Sequence, residues 1–120
     1  YARISKEKRN AWRPMIEGYL KHTSQLRGIV LLLDIRRDPT PDDHGMVDFL
    51  ADLGVPTIVV ITKADKLPKA QAAAKVKDIS LALGLDEEQV ILFSSVTGQG
   101  RDELAEAVVS VTTQAPWSRT

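Results

Sequence analysis

The chain has 120 residues, 43% of them apolar and 27% charged, with 16 basic and 16 acidic side chains that cancel, an ordinary balance for one soluble globular domain able to bury its own core. It holds no cysteine, which excludes a disulfide framework, a thiolate metal site and a cysteine nucleophile and fits the cytosol, and no apolar run approaches the roughly 20 residues of a membrane span. The cancellation is uneven: residues 1–27 carry seven Lys/Arg against two Glu, and the remainder carries nine bases against fourteen acids.

Residues 5–25 are predicted helical, with Trp12, Ile16, Tyr19 and Leu20 on one face. Pro14 suits a first turn better than an interior, so the helix is expected to start between Asn10 and Arg13. Residues 28–34 form a continuous apolar run ending in Asp34, the pattern of a strand buried on both faces. Thr40-Pro41-Asp42-Asp43 opens a second helix with an N-cap, a proline at the first helical position and acids at the positive end of the dipole. Met46, Val47, Leu50 and Leu53 supply its apolar stripe and Gly54 its end. Residues 57–62 form the next strand, 68–83 an alanine-rich helix stopped by Gly84, and 89–93 a third strand. A last helix over 101–111 carries Leu104, Val108 and Val111. Residues 115–120 are expected to be a flexible tail. Strands alternating with helices imply right-handed crossovers and a parallel sheet. Ligands of such sheets bind beyond the carboxyl ends of the strands, where Asp34, Thr62 to Asp65 and Ser94-Ser95 all fall.

Thr62-Lys63-Ala64-Asp65 matches the [N/T]-K-x-D sequence with which guanine-nucleotide-binding proteins hold the base. Phe93-Ser94-Ser95-Val96-Thr97-Gly98 matches the small-residue loop that closes over the same base. Either pattern alone is common; their placement at consecutive strand ends, with a helix between, is specific. Guanine presents N1–H and N2–H₂ on one edge, and the Asp65 carboxylate could accept from both. Adenine would leave that carboxylate unpaired, a discrimination on the order of 10⁴-fold. The Lys63 stem could lie across the base plane with its ammonium free for polar contacts, and the Thr62 hydroxyl could brace neighbouring loops. Ser94, Ser95 and Val96 are small enough to bring backbone N–H groups near O6, at the end of the strand that Phe93 closes. No G-x-x-x-x-G-K-[S/T] phosphate loop occurs in the 120 residues.

Other residues suggest less. Asp34 could ligate a metal or accept a phosphoryl group, but local hydrogen bonding at the strand end is the simpler role. His22 and His44 lack ligand partners at metal spacing. Trp12 reads as core, Trp117 as tail, and Arg36-Arg37 as a solvated loop pair or an RNA contact.

The run from Gly28 to Asp43, with Thr62-Lys63-Ala64-Asp65-Lys66-Leu67 and Phe93-Ser94-Ser95, resembles EngB-type GTPases, also called the YihA/YsxC family. Tyr1-Ala2, Ser5-Lys6 and Trp12 resemble the segment directly after that family's D-x-P-G-Y-G switch sequence. The resemblance covers roughly residues 1–110. It implies a three-layer α-β-α, Rossmann-like P-loop NTPase half-domain: the C-terminal part of a G domain over 1–114, and then the tail. It also implies GTP/GDP binding through Thr62, Lys63, Ala64, Asp65, Phe93, Ser94 and Ser95. The complete protein would bind Mg²⁺, hydrolyse GTP, act in assembly of the large ribosomal subunit and be linked to division-septum formation. Guanine nucleotide and the large subunit or its rRNA would be its partners, in the cytoplasm, with neither membrane nor DNA. The family's phosphate loop, first switch and Mg²⁺-side aspartate have no counterpart here and would precede Tyr1, so this chain alone is expected not to hydrolyse GTP. The alternative is a non-catalytic ribosome- or RNA-binding module derived from a G domain, docking through its basic first segment. A phosphoacceptor receiver-like domain would need an early acidic pair that is not visible.

Overall fold

A computed structural model describes residues 12–118. Its elements, in order, are α1 (Trp12–His22), β1 (Ile29–Asp34), α2 (Pro41–Leu53), β2 (Thr57–Thr62), a 3₁₀ turn (Ala64–Lys66), α3 (Lys69–Leu83), a 3₁₀ turn (Glu87–Gln89), β3 (Val90–Leu92) and α4 (Arg101–Thr112). The strands are parallel in the order β1-β2-β3. Ile29 pairs with Thr57 and Asp34 with Thr62, so the carboxyl ends of β1 and β2 are level. β3 is shorter than expected because Gln89 belongs to the preceding turn, yet the Phe93 N–H still donates to the Ile61 carbonyl (2.8 Å).

The expected helix signals operate as physics requires. Thr40 Oγ1 accepts from the Asp43 N–H, and the Asp43 carboxylate accepts from the Thr40 N–H (2.8 Å), a reciprocal cap around Pro41. Gly54 and Gly84, both left-handed, close α2 and α3. Pro14 sits in the first turn of α1, where its missing N–H would have had no helical partner. Residues 5–11 of the expected first helix, and the basic Arg3, Lys6, Lys8 and Arg9, lie outside the described residues.

One face of the sheet is covered by α2 and α3. Leu33, Val59, Ile61 and Val90 pack there with Val47, Ala72, Ile79 and Leu83. A second cluster joins α1 to α2 through Leu20, Phe49, Leu50 and Val55, with Trp12 and Ile16 against it. The Trp12 and Phe49 rings meet edge to face at 5.7 Å. Helix α4 lies on the opposite face, where Val108 and Val111 share a hollow with Val30 and Ile58. The sheet therefore carries helices on both sides, as expected.

Three expectations are corrected. Strand β1 is not buried on both faces: Val30 and Leu32, which alternate onto one face, are 46% and 63% exposed, because the helix on that face, α4, packs chiefly against β2. Tyr19 is exposed rather than sharing the face of Trp12, Ile16 and Leu20. Successive residues turn about 100° on a helix, so Tyr19 falls at the margin of a stripe that Leu20 anchors. Trp117 is docked: its N–H donates to the Leu26 carbonyl (2.6 Å), its indole N–H to the Leu53 carbonyl (3.3 Å), and its ring joins the second cluster. The segment to Ser118 is thus pinned by an amphipathic side chain with partners for both its apolar body and its donor.

Candidate functional site: the ends of strands β2 and β3

Beyond β2 the backbone turns at Lys63, whose φ of 63° and ψ of 37° lie in the left-handed region. A residue with a Cβ adopts that conformation only where surrounding structure imposes it. The 3₁₀ turn Ala64–Lys66 comes next, with Ala64 buried and its N–H donating to the Phe93 carbonyl (3.0 Å). With the Phe93 N–H bound to Ile61, the Thr62 to Asp65 turn and the end of β3 are stitched together on both sides.

The loop after β3 closes on itself. The Ser94 N–H donates to the Gln99 carbonyl (3.0 Å) and the Gly98 N–H to the Ser94 carbonyl (2.9 Å). Gly100, at φ 77°, then enters α4 against the Leu92 carbonyl, leaving no room for a Cβ.

Ser94 is the centre of the site and is fully buried. Its Oγ accepts from the Val96 N–H (3.2 Å) and the Thr97 N–H (3.1 Å) and donates to Asp65 Oδ1 (2.7 Å). A hydroxyl has one proton and two lone pairs. Both lone pairs are taken by backbone donors, so the proton is directed to Asp65. This Ser94 hydrogen bond holds the Asp65 carboxyl below its usual range, against the opposing effect of burial, with Lys66 and Arg36 adding smaller charge effects. Asp65 is therefore an ionised acceptor in a fixed orientation, with lone pairs left over for a ligand, since a carboxylate offers about four. The expectation that Ser94 serves through its small size and backbone is corrected: its side chain orients Asp65. The sequence signal was a serine with two residues after it whose N–H groups it could accept, a local turn such hydroxyls commonly make.

Ser95 and Val96 are exposed on the same loop, and Phe93 is half-buried behind it. Thr62 Oγ1 donates to the Leu33 carbonyl (3.3 Å), so it braces β1 rather than a loop. The Lys63 ammonium is not free: it lies 3.4 Å from Asp34 Oδ2. Asp34 in turn accepts from the Arg36 backbone N–H (2.9 Å), Nε (3.1 Å) and Nη2 (2.8 Å). These bonds, the Arg36 side chain first, hold the Asp34 carboxyl far below the usual carboxylate range. The local role expected of Asp34 is present, and the contact with Lys63 is additional. A separate hollow of about 530 Å³ beyond β1 is lined by Asp34, Arg37, Asp38, Thr40, Asp42 and Asp43, and does not reach Asp65. Among the described residues no three acidic, histidine or cysteine side chains could hold a metal together; His22 and His44 are exposed. The described residues do not compose a Mg²⁺ site. No described helix is long and apolar enough to cross a membrane.

The family model of the elongation factor Tu GTP binding domain matches residues 15–114. The chain belongs to that family. The resemblance to EngB-type GTPases holds as well. The chain is 58% identical over all 120 residues to "Probable GTP-binding protein EngB" of Gemmatimonas aurantiaca, spanning 59% of that relative. It is 43% identical over 104 residues, 86% of its own length and 54% of the relative's, to the protein of the same name from Geobacillus sp. strain WCH70. A crystal structure of a probable GTP-binding protein engB superposes with a TM-score of 0.69 at 19% identity, covering 94% of this chain and 71% of that one. Translation elongation factor SelB of Methanococcus maripaludis, in complex with the GTP analogue GppNHp, superposes with a TM-score of 0.60 at 21% identity, covering 85% and 24%. These two likenesses establish the fold, a P-loop-GTPase-like α/β arrangement.

Proposed function

We propose that Thr62, Lys63, Ala64, Asp65, Phe93, Ser94 and Ser95 bind the guanine base of GTP or GDP. The observation that carries this reading is the Asp65 carboxylate, kept ionised and aimed by a buried serine whose own hydrogen-bonding capacity is saturated. The GTP-binding family to which the chain belongs supports it. Asp65→Asn exchanges a double acceptor for an amide with one acceptor and one donor face. Guanine offers two donors on that edge; xanthine replaces one with a carbonyl, which suits the amide. The variant should lose affinity for GDP and gain relative preference for XDP. Lys63→Ala should weaken both alike. Competition binding among GDP, XDP and ADP tests this, and an unchanged GDP-to-XDP preference in Asp65→Asn removes Asp65 as the base reader.

For the complete gene product we propose a Mg²⁺-dependent, cytoplasmic GTPase acting in assembly of the large ribosomal subunit and linked to cell division, on the resemblance to EngB-type proteins. Contact with rRNA would draw on the basic residues of 1–27. Two of them make surface contacts within the chain: Arg13 stacks over Phe49 at 4.9 Å and pairs with Glu17, and Arg27 donates to the Gln114 carbonyl (3.0 Å). Replacing Lys6, Lys8 and Arg9 with Ala should weaken ribosome association and flatten its salt dependence. Association that is unchanged across a salt series would leave these residues as a solvated face.

A further inference from the structure

Two cations share one carboxylate at the junction of β1 and β2. Asp34 Oδ2 lies 2.8 Å from Arg36 Nη2 and 3.4 Å from Lys63 Nζ. The Asp34 side chain is 16% exposed, whereas those of Arg36 and Lys63 are 47% and 52% exposed. The anchor is thus the most enclosed member and the two cations reach it from solvent. Strand register explains the meeting: Asp34 pairs directly with Thr62, so Lys63 is one residue past the pair, and its left-handed backbone begins the turn that carries Asp65. Arg36 grips Asp34 through its backbone and guanidinium together, a fork geometry that restricts the carboxylate to one orientation.

We propose that Asp34 is a positioning residue of the base site: by anchoring the Lys63 ammonium, and being itself locked by Arg36, it stretches the Lys63 stem into an ordered apolar surface for the purine ring. This role rests on the guanine reading of the site. A lysine stem has many rotamers, and a ligand that must order it binds more weakly than one meeting it already ordered. The pair is solvent-accessible, so it contributes little to folding, and its effect belongs to binding. A ring-face contact does not distinguish the edge that Asp65 reads, so the effect is the same for guanine and xanthine.

The test is GDP and XDP titration of the complete gene product and its variants. Asp34→Asn keeps the side-chain shape and an acceptor for the Arg36 N–H but removes the charge that holds Lys63. It should weaken GDP and XDP by a common factor of about two- to tenfold, leaving their ratio unchanged. In a Lys63→Ala background the same substitution should do nothing further, a non-additivity that a purely structural role would not produce. Lys63→Met, which keeps a linear apolar stem and cannot be anchored, should mimic Asp34→Asn and leaves Asp34 and the fold untouched. The proposal is overturned if Asp34→Asn or Lys63→Met binds GDP as the parent does, or if the Asp34 and Lys63 effects add in full. Asp65→Asn is run in parallel. If it shifts the GDP-to-XDP ratio while Asp34→Asn has no effect, the base reading stands and the Asp34 role falls. If it leaves the ratio unchanged, both fall.

Discussion

At the β2–β3 end of the sheet the Ser94 hydroxyl has every donor and acceptor occupied, and Val59, Val60 and Ile61 are at most 2% exposed. One strand away, on β1, Val30 and Leu32 are 46% and 63% exposed, and among the described residues no strand pairs with the outer edge. The same parallel sheet is thus close-packed along β2, which leads into the proposed base site, and bare along one face of β1. The proposed base site is built on β2 and β3 and touches β1 only at its carboxyl end, where the Leu33 carbonyl and the Asp34 carboxylate meet Thr62 and Lys63. The sheet as a whole has apolar surface and backbone groups to offer at β1.

The comparison can be broken by substitutions on either side. The largest effect is expected in the close-packed part. Ile61→Ala removes a side chain with no exposure, from the strand leading into Thr62–Asp65, and should destabilise the fold by about 2–5 kcal/mol in denaturant melts. A loss below about 1 kcal/mol would mean that β2 is not the packed centre.

Ser94→Ala is next. It strips the hydrogen bond that aims Asp65 and the acceptor used by Val96 and Thr97. GDP affinity in the complete gene product should fall by about tenfold or more, the scale of a lost charge-assisted hydrogen bond. It should also alter the acid limb of stability. A carboxyl whose pKa is lowered by folding stabilises the native state fully above its ordinary value of 3.8, and that contribution is lost as pH falls through the folded value. With its main cause removed, Asp65 should contribute less, so the Ser94→Ala chain should lose less stability than the parent on acidification below 3.8. Urea unfolding at a series of pH values reads the slope; identical slopes would mean that the Ser94 bond does not set the Asp65 carboxyl.

The smallest effect is expected on the bare side. Leu32→Ala should change stability by no more than about 0.5 kcal/mol, as is usual for exposed positions, while lowering self-association of the 120-residue chain in sedimentation runs. A cost approaching that of Ile61→Ala would show that something covers Leu32 in solution.

Much of this was legible in the residues. Thr40-Pro41, Gly54 and Gly84 mark helix ends because capping and left-handed closure are local properties of two or three residues. The runs 28–34 and 57–62 read as strands because burial demands contiguous apolar side chains. The pairing of Thr62-Lys63-Ala64-Asp65 with Phe93-Ser94-Ser95 was visible because both come directly after strands in a parallel sheet, whose carboxyl ends must lie side by side. Tyr19 misled because helical periodicity gives a face and not the width of the surface that covers it. Trp117 misled because a terminal segment shows no periodicity, and its docking depends on carbonyls of Leu26 and Leu53 far away in sequence.

By itself, then, the sequence determined what is local: element types, their caps, the alternation that forces a parallel sheet, and the two motifs that point to guanine. Tertiary structure alone decided the roles that depend on distant groups meeting. Ser94 became the residue that orients Asp65, Asp34 the anchor of Lys63, and β1 the strand with an uncovered face. Each outcome turns on hydrogen-bond saturation, charge sharing or burial between residues that only the fold brings together, and such terms leave no imprint on the spacing of a single chain.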